Sequence, residues 1–140
     1  MAIEYLEHIA DLGLRASGAT LEETFCEAAR GLFALMLDLG AVRPRDEHTV
    51  HLEAVSNVDL LVEWLGELLA QKELTGLVFS RFEAVIRQHG TGCCLDGVAL
   101  GERLDPSKHH PRIEVKGISY LGLDVRRHDA GWVAQCVVDV

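Results

Sequence analysis

Apolar and polar residues alternate from Ile3 to Glu7, a period of two that predicts a short strand. The alternation breaks over His8-Ile9-Ala10-Asp11-Leu12-Gly13 and resumes at Leu14-Arg15-Ala16, which places Asp11 in a bend. From Thr20 the period lengthens. Thr20-Leu21-Glu22-Glu23 has the form of a capping box, in which the Thr20 hydroxyl accepts from the amide three residues on while Glu23 reaches back. Leu21, Phe25, Ala28, Ala29, Leu32, Phe33 and Met36 then recur at helical spacing, and Gly40 and Pro44 supply the stop, so a helix is expected over about residues 21 to 38. His48 to Val55 alternates again, with Val50, Leu52 and Ala54 on one face of a half-buried strand. Ser56 caps a second helix whose stripe of Val58, Leu61, Val62, Leu65, Leu68 and Leu69, with Trp64 beside it, runs to Lys72-Glu73 ahead of Gly76.

Beyond Leu77 the period is two almost throughout. Leu77 to Gln88 and Cys93 to Leu100, joined by His89-Gly90-Thr91-Gly92, read as an antiparallel hairpin. The polar segment Gly101 to Pro111 reads as a mobile loop, and three strand-like runs follow at Arg112 to Tyr120, Leu123 to Arg126 and Trp132 to Val138. Two amphipathic helices must cover a sheet, and strands outnumber helices in antiparallel order, which makes the expected class α+β. No linker, repeat or low-complexity tract divides residues 1–140, so one domain is expected.

Composition narrows the function. With 49% hydrophobic and 25% charged residues, a chain of 140 residues is globular and buries roughly two thirds of its unfolded surface. It lacks an apolar run of the ~18 residues needed to span a bilayer. Met1 to Glu7 also lacks the basic and apolar regions of a signal peptide, so a soluble, cytoplasmic protein without membrane contact is expected. Lys and Arg total 13 against 22 Asp and Glu, a net charge of −9, and basic residues cluster no further than Arg126-Arg127. Direct nucleic-acid binding is therefore not expected, whereas a basic partner or a divalent cation suits the charge. Cys26, Cys93, Cys94 and Cys136 form no C-x-x-C pair and read as reduced, packed residues.

The candidate chemistry lies in carboxylates. Val137-Val138-Asp139-Val140 ends a strand, which holds the Asp139 carboxylate and the Val140 terminal carboxylate one residue apart. If the first strand or the bend after it lies alongside, Asp11 adds a third, and such a cluster calls for a cation or a shared proton. Hard oxygen donors favour Ca²⁺, Mg²⁺ or Mn²⁺ over Zn²⁺. The alternative is that Asp139 is a solvated strand-end acid and Asp11 an amide-capping turn residue. Lys116, which alternates with Glu114, Ile118 and Tyr120, could contact a phosphate, pair with an acid or solvate an outer face. Asp38 is either a polar residue of the last helical turn or a further carboxylate of the acidic spot, and His8 is the histidine nearest that spot. His109-His110 and Cys93-Cys94 make no chelate, and neither G-x-S-x-G nor a P-loop is present.

Taken together, Tyr5 to Ala16, Thr20 to Glu23, Leu32 to Met36, Leu60 to Leu69, Gly101-Glu102, Glu114 to Tyr120 and the terminal Asp139-Val140 resemble the archease family over essentially the whole chain. The resemblance implies a strand-helix-strand-strand (SHS2-like) module with an inserted helix and strands. It also implies a non-enzymatic, metal-binding protein cofactor of the RtcB-type tRNA-splicing RNA ligase, one that promotes guanylylation by GTP and multiple turnover. The family's metal-binding carboxylates correspond to Asp11, Asp139 and Val140, with Ca²⁺ the first expectation and Mg²⁺ or Mn²⁺ next, and its functional lysine corresponds to Lys116. The alternative is a broader chaperone or modulator of nucleic-acid enzymes such as RNA methyltransferases.

Overall fold

The opening alternation folds as a hairpin. Strands β1 (Ala2–His8) and β2 (Asp11–Gly18) pair antiparallel, with Ala2 opposite Ser17 and His8 opposite Asp11. The structure is a computed structural model that describes residues 2–8 and 11–140, and for Glu7 and His8 the backbone alone. Asp11, expected in a bend, is the first residue of β2; Ile9 and Ala10 lie outside the described residues.

Helix α1 (Leu21–Met36) starts at the expected box: Thr20 Oγ1 accepts the Glu23 amide at 3.1 Å, and the Glu23 carboxylate accepts the Ala19 amide at 3.1 Å. It stops two residues short of the expected end, because Leu37 turns extended and buries its side chain in the core. Asp38 then caps a single 3-10 turn, Leu39–Ala41. The carbonyls of Leu35 and Met36 at the end of α1 accept the amides of Ile113 (3.1 Å) and Arg112 (2.7 Å). That is why Arg112 to Lys116, expected as strand, forms none: its first amides are committed to satisfying a helix end.

Strand β3 (Asp46–Ala54), helix α2 (Asn57–Thr75), and strands β4 (Leu77–His89) and β5 (Gly92–Arg103) follow the predicted order. Helix α2 ends where Gly76, at φ +76°, supplies a left-handed residue and its amide closes on the Lys72 carbonyl at 2.9 Å. Its buried stripe is centred on Leu61, Trp64, Leu65 and Leu68, turned slightly away from Val58 and Val62, which stay half-buried. Burying Trp64 is tolerable because its Nε1–H donates to the Phe25 carbonyl at 3.0 Å, which also ties α2 to α1.

The segment expected as a mobile loop is instead knit into the fold. Strand β5 runs into it as far as Arg103, and one helical turn, α3 (Pro106–His109), follows with Asp105 as its cap. Strands β6 (Gly117–His128) and β7 (Gly131–Asp139) complete the chain, and β6 joins two runs expected to be separate strands.

The strands form two antiparallel sheets, in the orders β1-β2-β7-β6 and β3-β5-β4. The first sheet with α1 gives the strand-helix-strand-strand module β2-α1-β6-β7, with β1 added by its hairpin. The insertion carries the second sheet and α2. Both helices contact strands of both sheets, so one continuous core runs between them. Phe33 of α1 meets Phe79 of β4 edge-on, ring centres 5.6 Å apart, on one side of that core. On the other side α1 presses on the first sheet at Gly31, where a Cβ would stand 2.8 Å from Leu14 Cδ1. Among the described residues no helix is long and apolar enough to cross a membrane.

Candidate functional site

Strand register assembles the acidic spot. Asp11 of β2 stands opposite Asp139 of β7, and Asp139 stands opposite Gly117 of β6, so three adjacent strands place them in a row at one end of the four-stranded sheet. Directly opposed residues of antiparallel strands share a face, with Cβ atoms about 5 Å apart. Cys136 and Val138 of β7 point into the core, so alternation puts Asp139, and with it Asp11, on the outer face, away from α1. Gly117 adds no side chain there: a Cβ on it would stand 3.7 Å from Asp139 Oδ2. Among the described residues neither carboxylate has an ion-pair partner. Like charges opposed across a ladder repel, so this sheet end is electrostatically suited to a cation.

Val140 follows Asp139 beyond the last strand position and is exposed. Lys116 stands one residue before β6, where its amide donates to the Asp139 carbonyl at 2.7 Å. Its exposed side chain lines a groove of about 520 Å³ between α2 and residues 114–118, whose wall also includes Val62, Leu69, Glu73 and Glu114. Lys116 is therefore tied to Asp139 through the backbone while it lines the neighbouring groove.

Two further candidates fall differently. Asp38 forms no metal-binding group of three with Asp11 and Asp139, and its Oδ1 accepts the Gly40 amide at 3.2 Å to cap the 3-10 turn after α1. The His8 side chain lies outside the described residues. No group of three His, Cys, Asp or Glu side chains able to hold a metal occurs among the described residues; among them, register brings the carboxylates of Asp11 and Asp139 together at this end.

What the periodicity did not reveal is the pair Glu102 and His109. His109 is fully buried; its Nδ1 accepts the Asp105 amide at 2.9 Å, which leaves the proton on Nε2, 2.8 Å from Glu102 Oε2. The same oxygen accepts from Lys108 Nζ at 2.6 Å and from the Arg43 amide at 3.0 Å. These donors, the Arg43 amide first, pull the Glu102 carboxyl down to about 2. Both ring nitrogens of His109 are spent, so the pair is a clasp that holds α3 against the start of the insertion. The sequence hinted at it only in that Glu102 and His109 fall in one polar stretch and that Gly101-Glu102 is among the stretches of family resemblance.

An α+β protein with a strand-helix-strand-strand core, an inserted second sheet and an opposed carboxylate pair at one sheet end is a narrowly defined class. The chain belongs to the archease family: residues 3–140 match the Archease protein family (MTH1598/TM1083). It is 40% identical to the protein archease of Methanopyrus kandleri over 140 residues, covering 100% of both chains. It is 41% identical to that of Thermococcus gammatolerans over 138 residues, covering 98% of this chain and 97% of the relative. The fold matches the solution structure of Methanobacterium thermoautotrophicum protein 1598 with a TM-score of 0.88, 31% identity, and coverage of 99% of this chain and 98% of that one. It also matches the crystal structure of a Thermotoga maritima archease, described as a possible chaperone, with a TM-score of 0.61, 17% identity, and coverage of 98% and 96%.

Proposed function

We propose that this protein is a non-enzymatic cofactor that binds a divalent cation at the Asp11–Asp139 sheet end and activates an RtcB-type RNA ligase by promoting its guanylylation and multiple turnover. The observation that carries the reading is the cross-strand opposition of Asp11 and Asp139, held in register by three strands. A cation of the Ca²⁺, Mg²⁺ or Mn²⁺ type takes at least six oxygen donors. Two side chains, with the carboxylate of Val140 as a third donor, leave coordination positions for water or for a partner's groups. Such a half-built site suits a cofactor that acts inside another protein's active site better than one that stores its ion. Lys116, tied to the pair through its backbone, would hold a phosphate or an acidic group of the ligase in the adjoining groove. The chain's net charge of −9 favours encounter with a basic active-site mouth.

The test is GTP-dependent guanylylation and multiple-turnover RNA joining by the ligase of the same source, with and without this protein. Stimulation is expected for the wild type and its loss for Asp139→Ala, with the variant's fold checked by circular dichroism. The chaperone reading, prompted by the description of the Thermotoga relative, makes the opposite prediction, since assistance to folding through helix and sheet surfaces would survive Asp139→Ala. A wild-type protein that leaves a stalled ligase stalled would sink the cofactor reading.

A further inference from the structure

Pairing between β6 and β7 is regular from Gly117–Asp139 to Ser119–Val137 and restarts at Asp124–Gln135, so Tyr120-Leu121-Gly122-Leu123 stand against Cys136 alone. The surplus residues form a knuckle on the sheet's outer edge. It is braced: the Ser119 hydroxyl accepts the Leu121 amide at 3.1 Å, and Gln135 Nε2 donates to the Gly122 carbonyl at 3.2 Å. Gln135 is itself gripped by Arg15 at 3.0 and 2.8 Å, and Arg15 by Glu4. Gly122 takes φ +74°, and a Cβ on it would stand 3.2 Å from Val137 Cγ2. Val137 alternates onto the outer face with Asp139, yet it is only 4% exposed, because the knuckle roofs it. The knuckle thus folds onto the same face as the carboxylate pair and borders it. Leu123 packs against the core, whereas the other two large side chains are turned to solvent: Tyr120 is 67% and Leu121 73% exposed.

A bulge on an edge strand also blunts that edge against unwanted pairing, but polar residues would do this equally well. Adjacent Tyr and Leu on a pre-ordered turn beside a pair of opposed acids have the composition of an interface anchor, an apolar contact next to charge. Charge selects the occupant. A second copy of this chain would bring its own carboxylate pair against this one, and nucleic acid or an anionic membrane would repel it. We propose that the Tyr120–Leu121 knuckle is the apolar anchor with which this protein seats its carboxylate pair in a partner protein's cationic pocket, against an apolar rim. This rests on the cofactor reading above, with the ligase as the partner.

The experiment titrates this protein into the ligase, reading direct binding by fluorescence anisotropy alongside half-saturating concentration and maximal stimulation. A Tyr120→Ala/Leu121→Ser variant is expected to bind roughly tenfold more weakly, as loss of a hot-spot pair does, and to reach the wild-type maximum once saturating. Asp139→Ala should lower the maximum even at saturation, and Leu74→Ser, at an exposed leucine of α2, should change neither binding nor maximum. A double variant that titrates like the wild type overturns the inference. So does a wild type whose self-association, measured by sedimentation, is abolished by the double variant, since the knuckle would then join two copies. A wild type that binds through the knuckle without stimulating the ligase defeats the cofactor reading and leaves the anchor standing.

Discussion

Glu102 carries more of the local structure than its place in a polar stretch suggests. Three donors converge on one carboxylate oxygen, and their combined pull lowers its pKa to about 2 from an ordinary 4.5. A folded-state pKa below the unfolded one means that the group's contribution to stability is complete above the unfolded value and fades as pH falls through the folded one. Glu102→Gln should therefore lower the urea midpoint at neutral pH, and its difference from wild type should shrink between pH 4.5 and about 2. A difference that stays flat across that window would mean that the charge is not what the clasp uses. The clasp was illegible in the sequence for a physical reason. Local composition reports that Gly101 to Pro111 is polar, but its order comes from Arg43, from the Gly76 carbonyl that takes the Leu104 amide at 2.7 Å, and from the Asp38 amide that donates to the His109 carbonyl at 2.8 Å.

At the level of elements, what local chemistry dictates was readable and what distant partners dictate was not. The capping box at Thr20, the Ser56 cap and the Gly76 stop are each settled within a few residues, and both helices begin or end on them. The division of the strands into two sheets is settled by packing on the helices, which periodicity does not encode. The same contrast sets the signs of two glycine substitutions. Gly66 lies within α2 with nothing inside 4 Å of a built Cβ, so Gly66→Ala should stabilise, by about 0.5–1 kcal/mol from helix propensity alone. Gly31 faces the buried Leu14 at 2.8 Å and Ile3 at 3.1 Å. Overpacking there costs about 1–3 kcal/mol, which outweighs the propensity gain. Chemical denaturation of the two variants should show midpoints moving in opposite directions, and a stabilised Gly31→Ala would show that the contact between α1 and the first sheet is looser than described. For the candidate site, the sequence nominated Asp11, Lys116 and Asp139, and register supplied what it lacked: that Asp11 and Asp139 are opposed on one face, while Lys116 lines a separate groove.

For the whole molecule, charge and topology set how it meets a partner and how it comes into being. A chain of net charge −9 docking through an acidic sheet end should bind a cationic pocket less well as salt rises. Between about 50 and 300 mM salt the Debye length falls from roughly 14 to 6 Å, so the half-saturating concentration in the ligase assay should climb several-fold while the maximal stimulation holds. Salt-independent titration would place the contact on uncharged surface. Topology has a separate effect. Strand β7, made after the other three strands of its sheet, occupies an interior place between β2 and β6. Until it has been made, the opening hairpin and β6 each present a bare ladder edge with nothing to join them, and α1 lacks part of the floor on which it rests. The four-stranded sheet therefore stays open along its centre until β7 is in place, and that strand both closes the sheet and brings Asp139 to Asp11.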